Sequence, residues 1–275
     1  MGLKLHVLDL GSLSVDINMI IPGTVIAHPA DPNPKGQIIQ IPIAAHLIEH
    51  PEGNVLYDTG CNPECMGPDG RWSPEFQKLF PYHGTEECQL PARLEALGYG
   101  PDDIRHVVLS HLHNDHAGCV EFFKKSQVIV HQDEFSAALR QYALRNSGSY
   151  VWKDTDAWLK SELNWRLLEP DEGDRHLVDG VKILNFGAGH ASGMLGLQVS
   201  LRSRPGVLLV SDACYNKTIY GPPTRMAGFT TDANGFLRTI HRVRSLAEET
   251  GYEVWFGHDR EQFASLTKST EGFYE

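Results

Sequence analysis

The 275-residue chain has no run of eighteen apolar residues, which excludes a helix that spans a membrane. Positive charge is also sparse: 24 Lys and Arg stand against 35 Asp and Glu, a formal net charge of -11. A surface that tracks nucleic-acid phosphates needs a basic stripe, so that class of partner is excluded. Cysteine is scarce and odd in number, at Cys61, Cys65, Cys88, Cys119 and Cys214. That is no disulfide framework for a chain of this size, and reduced thiols in a cytoplasm are expected. Cys61 and Cys65 flank Asn-Pro-Glu, but without a second cysteine pair they do not make a structural zinc site. The opening MGLKLHVLDLG lacks the long apolar core and cleavage site of a signal peptide, and His6 breaks the myristoylation pattern. No linker, repeat or low-complexity tract divides the chain, so residues 1–275 are expected to form a single layered domain.

What is present begins with strands. LKLHVLDL (3–10) is a strand, and IIQIPIAAHLIEH (38–50) with NVLYDTG (54–60) forms a hairpin around Pro-Glu-Gly. Between them, residues 19–36 are rich in Pro and Gly and read as a loop, yet they carry Met19, Ile20, Ile21, Val25 and Ile26. An apolar loop of this length plugs a core or lines a pocket. Residues 61–84 are a second irregular stretch with aromatics, and 86–98 are mostly helical. Further strands are expected at 105–109, 127–131, 181–187, 195–201, 206–212 and 253–259, with helices after the histidine cluster and at 133–145 and 235–250. Residues 146–170 read as a helical or loop insertion.

The densest chemistry lies in SHLHNDHAG (110–118), which holds His111, His113, Asp115 and His116. His111 and His113 are two apart after an apolar run, so in an extended chain both face one side. A zinc-binding helix would space its histidines four apart. Four ligand-type residues in six positions are too dense for an ordinary polar turn. Three later residues repeat the placement just after a strand: His190, Asp212 and His258. These seven nitrogen and oxygen ligands exceed the four that one tetrahedral zinc takes. They suit two divalent ions that share a carboxylate. Zinc leads, while cobalt, iron and manganese suit the same donors. Asp58, at the end of an earlier strand, is expected to accept a hydrogen bond from a ligand histidine.

The ordered set H-x-H-x-D-H, His190, Asp212 and His258 resembles the metallo-β-lactamase superfamily over essentially the whole chain. Within it the sequence looks closest to the N-acyl-homoserine lactonases, which carry a tyrosine three residues after the bridging aspartate; here Asp212-Ala-Cys-Tyr215 has that spacing. The resemblance implies an α/β (α+β) fold, an αββα sandwich of two mixed sheets flanked by helices. It implies one metal on His111, His113 and His190, a second on Asp115, His116 and His258, and Asp212 between them. The activity implied is opening of the lactone ring of N-acyl-L-homoserine lactones by a bridging hydroxide, which quenches quorum signals. Tyr215 would donate to the developing oxyanion and Asp115 would carry a proton to the leaving oxygen. Met19, Ile20, Ile21, Phe80 and Tyr82, with Tyr215, are the candidates for holding the substrate and its acyl chain.

The motif fixes fold and metals better than substrate. Glyoxalase-II-type thioesterases add a helical C-terminal domain, for which the seventeen residues after His258 are not expected to suffice. Common zinc β-lactamases place a cysteine where Asp212 stands, and RNA-processing members need the missing basic surface. A phosphotriesterase-like or other ester hydrolase of the same fold is the competing reading, because the same centre can attack phosphorus. A non-enzymatic metal-binding protein fits poorly with a complete ligand set. The expected partner is a small lactone, with neither nucleic acid nor membrane, and a homodimer is compatible with the sequence but not specified by it.

Overall fold

Apolar alternation along KLHVLDLGSLSVD produces β1 (Lys4–Asp16), which pairs antiparallel with β2 (Ile38–Glu49). The register slips between Asp9 and Ser12, where Gly11 sits at φ 89° against the backbone of His83, a position a side chain could not occupy. β2 turns antiparallel into β3 (Asn54–Tyr57), and the two-residue β4 (Tyr82–His83) pairs with β1. From β3 the sheet continues in parallel through β5 (Ile104–Val108), β6 (Gln127–His131) and β7 (Asn164–Leu168). The second sheet comprises β8 (Arg175–Val178), β9 (Val181–Gly187), β10 (Met194–Val199), β11 (Val207–Ser211) and β12 (Glu253–Phe256). The sheets have seven and five strands, and the second is antiparallel except where β11 meets β12. This computed structural model describes residues 2–275 apart from Asn146, Ser147 and Ser149, so part of the predicted 146–170 insertion lies outside the described residues.

The sheets pack face to face. Val7, Val55, Val108 and Ile129 from the first meet Ile183, Leu197, Leu209 and Trp255 from the second, all buried. Removing such a side chain from water contributes about 1.5–3 kcal/mol. The Tyr57 hydroxyl donates across the interface to the Leu195 carbonyl at 2.9 Å. Alternate residues of the same strands point outward under helices, as a strand buried on both faces requires. The helices are α1 (Ile17–Ile20), α2 (Pro74–Leu79), α3 (Leu90–Ala96), α4 (Gln132–Leu144), α5 (Trp152–Lys160), α6 (Lys217–Tyr220), α7 (Ala233–Thr250) and α8 (Arg260–Ser265). Ala138 and Trp158 cover one outer face, while Phe236, Ile240 and Val243 of α7 cover Leu208 and Val210 on the other. The architecture is the αββα sandwich. No helix among the described residues is long and apolar enough to cross a membrane.

Three expectations change. Residues after the histidine cluster form a single 3-10 turn, Val120–Phe122, and no α-helix. Their backbone donors are drawn to the loop after β3: Gly118 N–H bonds to the Gly60 carbonyl at 2.8 Å and Cys119 N–H to Thr59 Oγ1 at 3.2 Å. The 146–170 insertion contains α5 and also β7, an edge strand. Met19 and Ile20 sit in the one-turn α1, capped by Asp16, and the loop begins only after it.

Candidate metal centre

β3, β5 and β11 end at one edge, and their last residues are tied together. Asp58, just past β3, accepts from Ser110 N–H at 2.7 Å, Ser110 Oγ at 2.8 Å and Ser211 Oγ at 3.2 Å. Asp58 and Ser211 both have left-handed backbone, φ 62° and 47°. Such a conformation costs of order 1–3 kcal/mol in a non-glycine residue and persists where neighbours fix it. The knot turns the chain after each strand toward a common point.

His111, His113, Asp115, His116, His190, Asp212 and His258 all converge there, and only His113 is not fully buried. Asp212 lies in the middle. Its Oδ2 faces His190 Nε2 at 3.4 Å and His111 Nε2 at 4.0 Å. Its Oδ1 faces His258 Nε2 at 3.0 Å and His116 Nε2 at 3.5 Å. Asp115 Oδ2 stands 3.6 Å from Nε2 of both His116 and His258. His113 Nδ1 and His190 Nε2 approach to 3.0 Å.

In three of these rings the far nitrogen is taken. His116 Nδ1 bonds to Asp58 at 2.9 Å, His258 Nδ1 to the Pro42 carbonyl at 2.9 Å and His190 Nδ1 to the Phe229 carbonyl at 2.9 Å. A carbonyl or carboxylate can only accept, so Nδ1 carries a proton, and in the neutral ring Nε2 is left to present a lone pair inward. Yet His111 Nε2, His116 Nε2 and Asp212 Oδ1 are buried without a hydrogen-bond partner. Buried polar atoms without partners are costly, and here they point at one another. A cation placed among them satisfies all at once, so the residues fit divalent metal.

The electrostatics divide the cluster. Burial drives His111 and His113 well below the usual imidazole range, assisted by neighbouring histidines. Burial opposes charge on His116 too, but Asp115, Asp212 and Asp58 outweigh it and raise this group to about 10. Burial likewise opposes the Asp212 charge, and His258 and His116 overcome it, holding the carboxyl well below its ordinary range.

Above the cluster opens a cavity of about 420 Å³. His113, Asp115, His190, Asp212, Tyr215 and His258 form its floor. Its walls are apolar, from β1, β2, α1, α2 and the residues Phe80 and Phe229.

A profile of the metallo-β-lactamase superfamily matches residues 39–220. The chain is also 56% identical to the N-acyl homoserine lactonase AiiB of Agrobacterium fabrum, with 100% of each chain covered. The protein belongs to the metallo-β-lactamase superfamily, among its N-acyl homoserine lactonases. An N-acyl homoserine lactonase of Bacillus thuringiensis is 31% identical over 82% of this chain and 85% of its own. Among solved structures, an N-acyl homoserine lactone hydrolase with the product N-hexanoyl-L-homoserine bound at its catalytic metal center matches with a TM-score of 0.82 and 29% identity, covering 99% of this chain and 98% of the other.

In this lactonase-family chain the expected wall residues divide. Met19, Ile20 and Phe80 line the cavity; Ile21 and Tyr82 are not among its lining residues. Ile21 caps α1 and packs on the core, and the Tyr82 hydroxyl is turned back to the Leu10 carbonyl at 2.9 Å. Leu13, Val15, Ile41, Phe76, Leu79 and Phe229 line it instead. The first three carried a signal that pattern alone cannot use, since alternation identifies an inward face but not what it meets. Asn114 also lines the cavity, with its amide nitrogen buried and unpartnered. Asp58 is hydrogen-bonded to His116, the type of contact expected of it.

Proposed function

We propose that this protein opens the ring of N-acyl-L-homoserine lactones by hydrolysis, using two divalent ions with Asp212 between them. The arrangement that carries the reading is the Asp212 carboxylate, whose two oxygens face different histidine pairs at the foot of an apolar cavity. Zinc is the ion we favour, and the free thiols support residence in a reducing cytoplasm.

Bound there, divalent ions would make water nucleophilic at neutral pH and polarise the ester carbonyl. The remaining work falls to side chains. The Tyr215 oxygen lies 2.9 Å from His190 Nδ1, whose single proton already goes to the Phe229 carbonyl. Tyr215 can therefore only share that proton as an acceptor, which leaves its own hydrogen free for the substrate carbonyl oxygen as negative charge grows. Burial pushes the Tyr215 phenol well above its ordinary value, so it stays a donor. Asp115, which also lines the cavity, receives a proton from the attacking water and returns it to the ring oxygen as the carbon–oxygen bond breaks. The products are a carboxylate and an alcohol on one chain. Met19, Ile20, Phe80, Leu79 and Phe229 surround the acyl tail.

The test is kinetics of the metal-loaded protein on homoserine lactones of increasing acyl length, on a bare lactone ring and on a phosphotriester, with metal-stripped protein as control. Each methylene newly buried adds up to about 0.8 kcal/mol until the cavity fills, so catalytic efficiency rises with acyl length. Phosphotriester turnover well above that of every lactone would replace this reading with the phosphotriesterase one.

A further inference from the structure

Glu134 and Asp154 are both fully buried carboxylates outside the cluster. Asp154 is paired with Arg71 at 3.3 Å. Glu134 has no cationic partner among the described residues, and its burial calls for another explanation. It stands in the first turn of α4, where an acidic side chain ordinarily stays in solvent near the helix end. Here it reaches away from its own helix. Oε1 accepts the Leu112 N–H at 3.0 Å. Oε2 accepts the N–H groups of Ser192 at 2.9 Å and Gly193 at 3.3 Å.

The location of those donors is informative. Leu112 lies between His111 and His113, while Ser192 and Gly193 directly follow the His190 turn. One carboxylate therefore joins two loops that come from different sheets. The second loop can close on α4 because residue 193 is glycine; a Cβ there would meet His131 Nδ1 at 2.1 Å. The closure matters because His113 Nδ1 and His190 Nε2 stand 3.0 Å apart. A His113 Nδ1–H can donate to His190 Nε2 at that distance, but once both nitrogens turn lone pairs to a cation that hydrogen bond is lost, so the loops need an independent tie. Asp115, His116 and His258 are held otherwise: His116 by Asp58, and His258 by the Pro42 carbonyl.

We propose that Glu134 is a positioning residue: by bridging the Leu112 and Ser192–Gly193 amides, it fixes the spacing of His111, His113 and His190 and so tunes that trio's grip on its metal. The inference rests on the metal-binding reading of the cluster. Glu134→Gln keeps the shape but turns an amide NH2 toward backbone donors, so one loop loses its acceptor.

The experiment measures zinc affinity by chelator competition on the full chain in two backgrounds. In His258→Ala, binding at the His111, His113, His190 trio is isolated. In His190→Ala, binding at the Asp115, His116, His258 trio is isolated. Adding Glu134→Gln should weaken the first by about 10- to 100-fold, the range for partners that orient metal ligands. It should change the second by no more than about twofold, as for independent sites. Glu134→Asp, which keeps the charge but shortens the reach, should reproduce the selectivity and serves if the Gln variant does not fold. Equal losses in both backgrounds, or none in either, overturn the positioning role. No zinc binding in either parent background would instead overturn the metal reading and the Glu134 role that depends on it.

Discussion

At and beneath the floor of the cavity, His116, His190 and His258 are each held through Nδ1 by a carboxylate or a carbonyl. At its mouth, Leu79 is 51% exposed and Phe229 37% exposed. The floor draws on both sheets and on strand ends locked by Asp58, Ser110 and Ser211. The wall draws partly on one- and two-turn helices, α1 and α2, that rest on a few caps. The same cavity thus joins a polar end tied by many hydrogen bonds to an apolar end built on short helices. Substitutions at the floor should damage metal content and every substrate together, whereas substitutions at the mouth should alter only how long acyl chains are distinguished from short ones.

The strongest way to break this contrast is Asp212→Ala. Both of its oxygens face histidine pairs, so the variant should lose metal from both positions, while His258→Ala should chiefly empty one. Metal analysis of the two purified proteins checks this, and equal small losses would count against a shared carboxylate. Next comes Tyr215→Phe, which removes a donor but no ligand. Losing one oxyanion donor can cost up to about 10²- to 10³-fold in turnover, and less here if metal shares the charge. Metal content should be intact, and an unchanged turnover number would remove Tyr215 from the reaction.

Smaller effects are expected at the mouth. Leu79→Asp should lower efficiency on long-chain lactones by up to about 0.8 kcal/mol for each methylene left wet, with the bare ring and the metals unaffected. A uniform loss on all chain lengths would show that the wall and floor are not separable. The smallest effect belongs to Tyr82→Phe. It forfeits the hydrogen bond to Leu10, about 1 kcal/mol of stability, and its kinetics should match the parent across acyl lengths. A thermal melt together with the chain-length series reads both.

The two regions also differ in what the sequence discloses. His111, His113, Asp115 and His116 are legible because their spacing is local, and His190, Asp212 and His258 because each follows an apolar run. The strands of the inter-sheet core were equally plain. β7 and β8 were not, since NWRLL and RHLV are short segments that mix charged and polar residues with apolar ones. Leu13, Val15 and Ile41 look like any other inward strand residues, and only the packing of α1 and α2 turns them into a wall. Glu134 was invisible for a different reason: its partners are backbone amides, which leave no side-chain signature. Ile21 directly follows the lining residue Ile20 and Tyr82 stands two residues after Phe80, but neither lines the cavity.

The central claim is that Asp212 stands between two metal positions built from different loops. Anomalous scattering from a crystal of the metal-loaded protein measures this most directly. Two peaks about 3.5 to 4 Å apart, one beside His111, His113 and His190 and the other beside Asp115, His116 and His258, with Asp212 contacting both, are the predicted result. A single peak at full occupancy, or a pair that Asp212 does not touch, would contradict it.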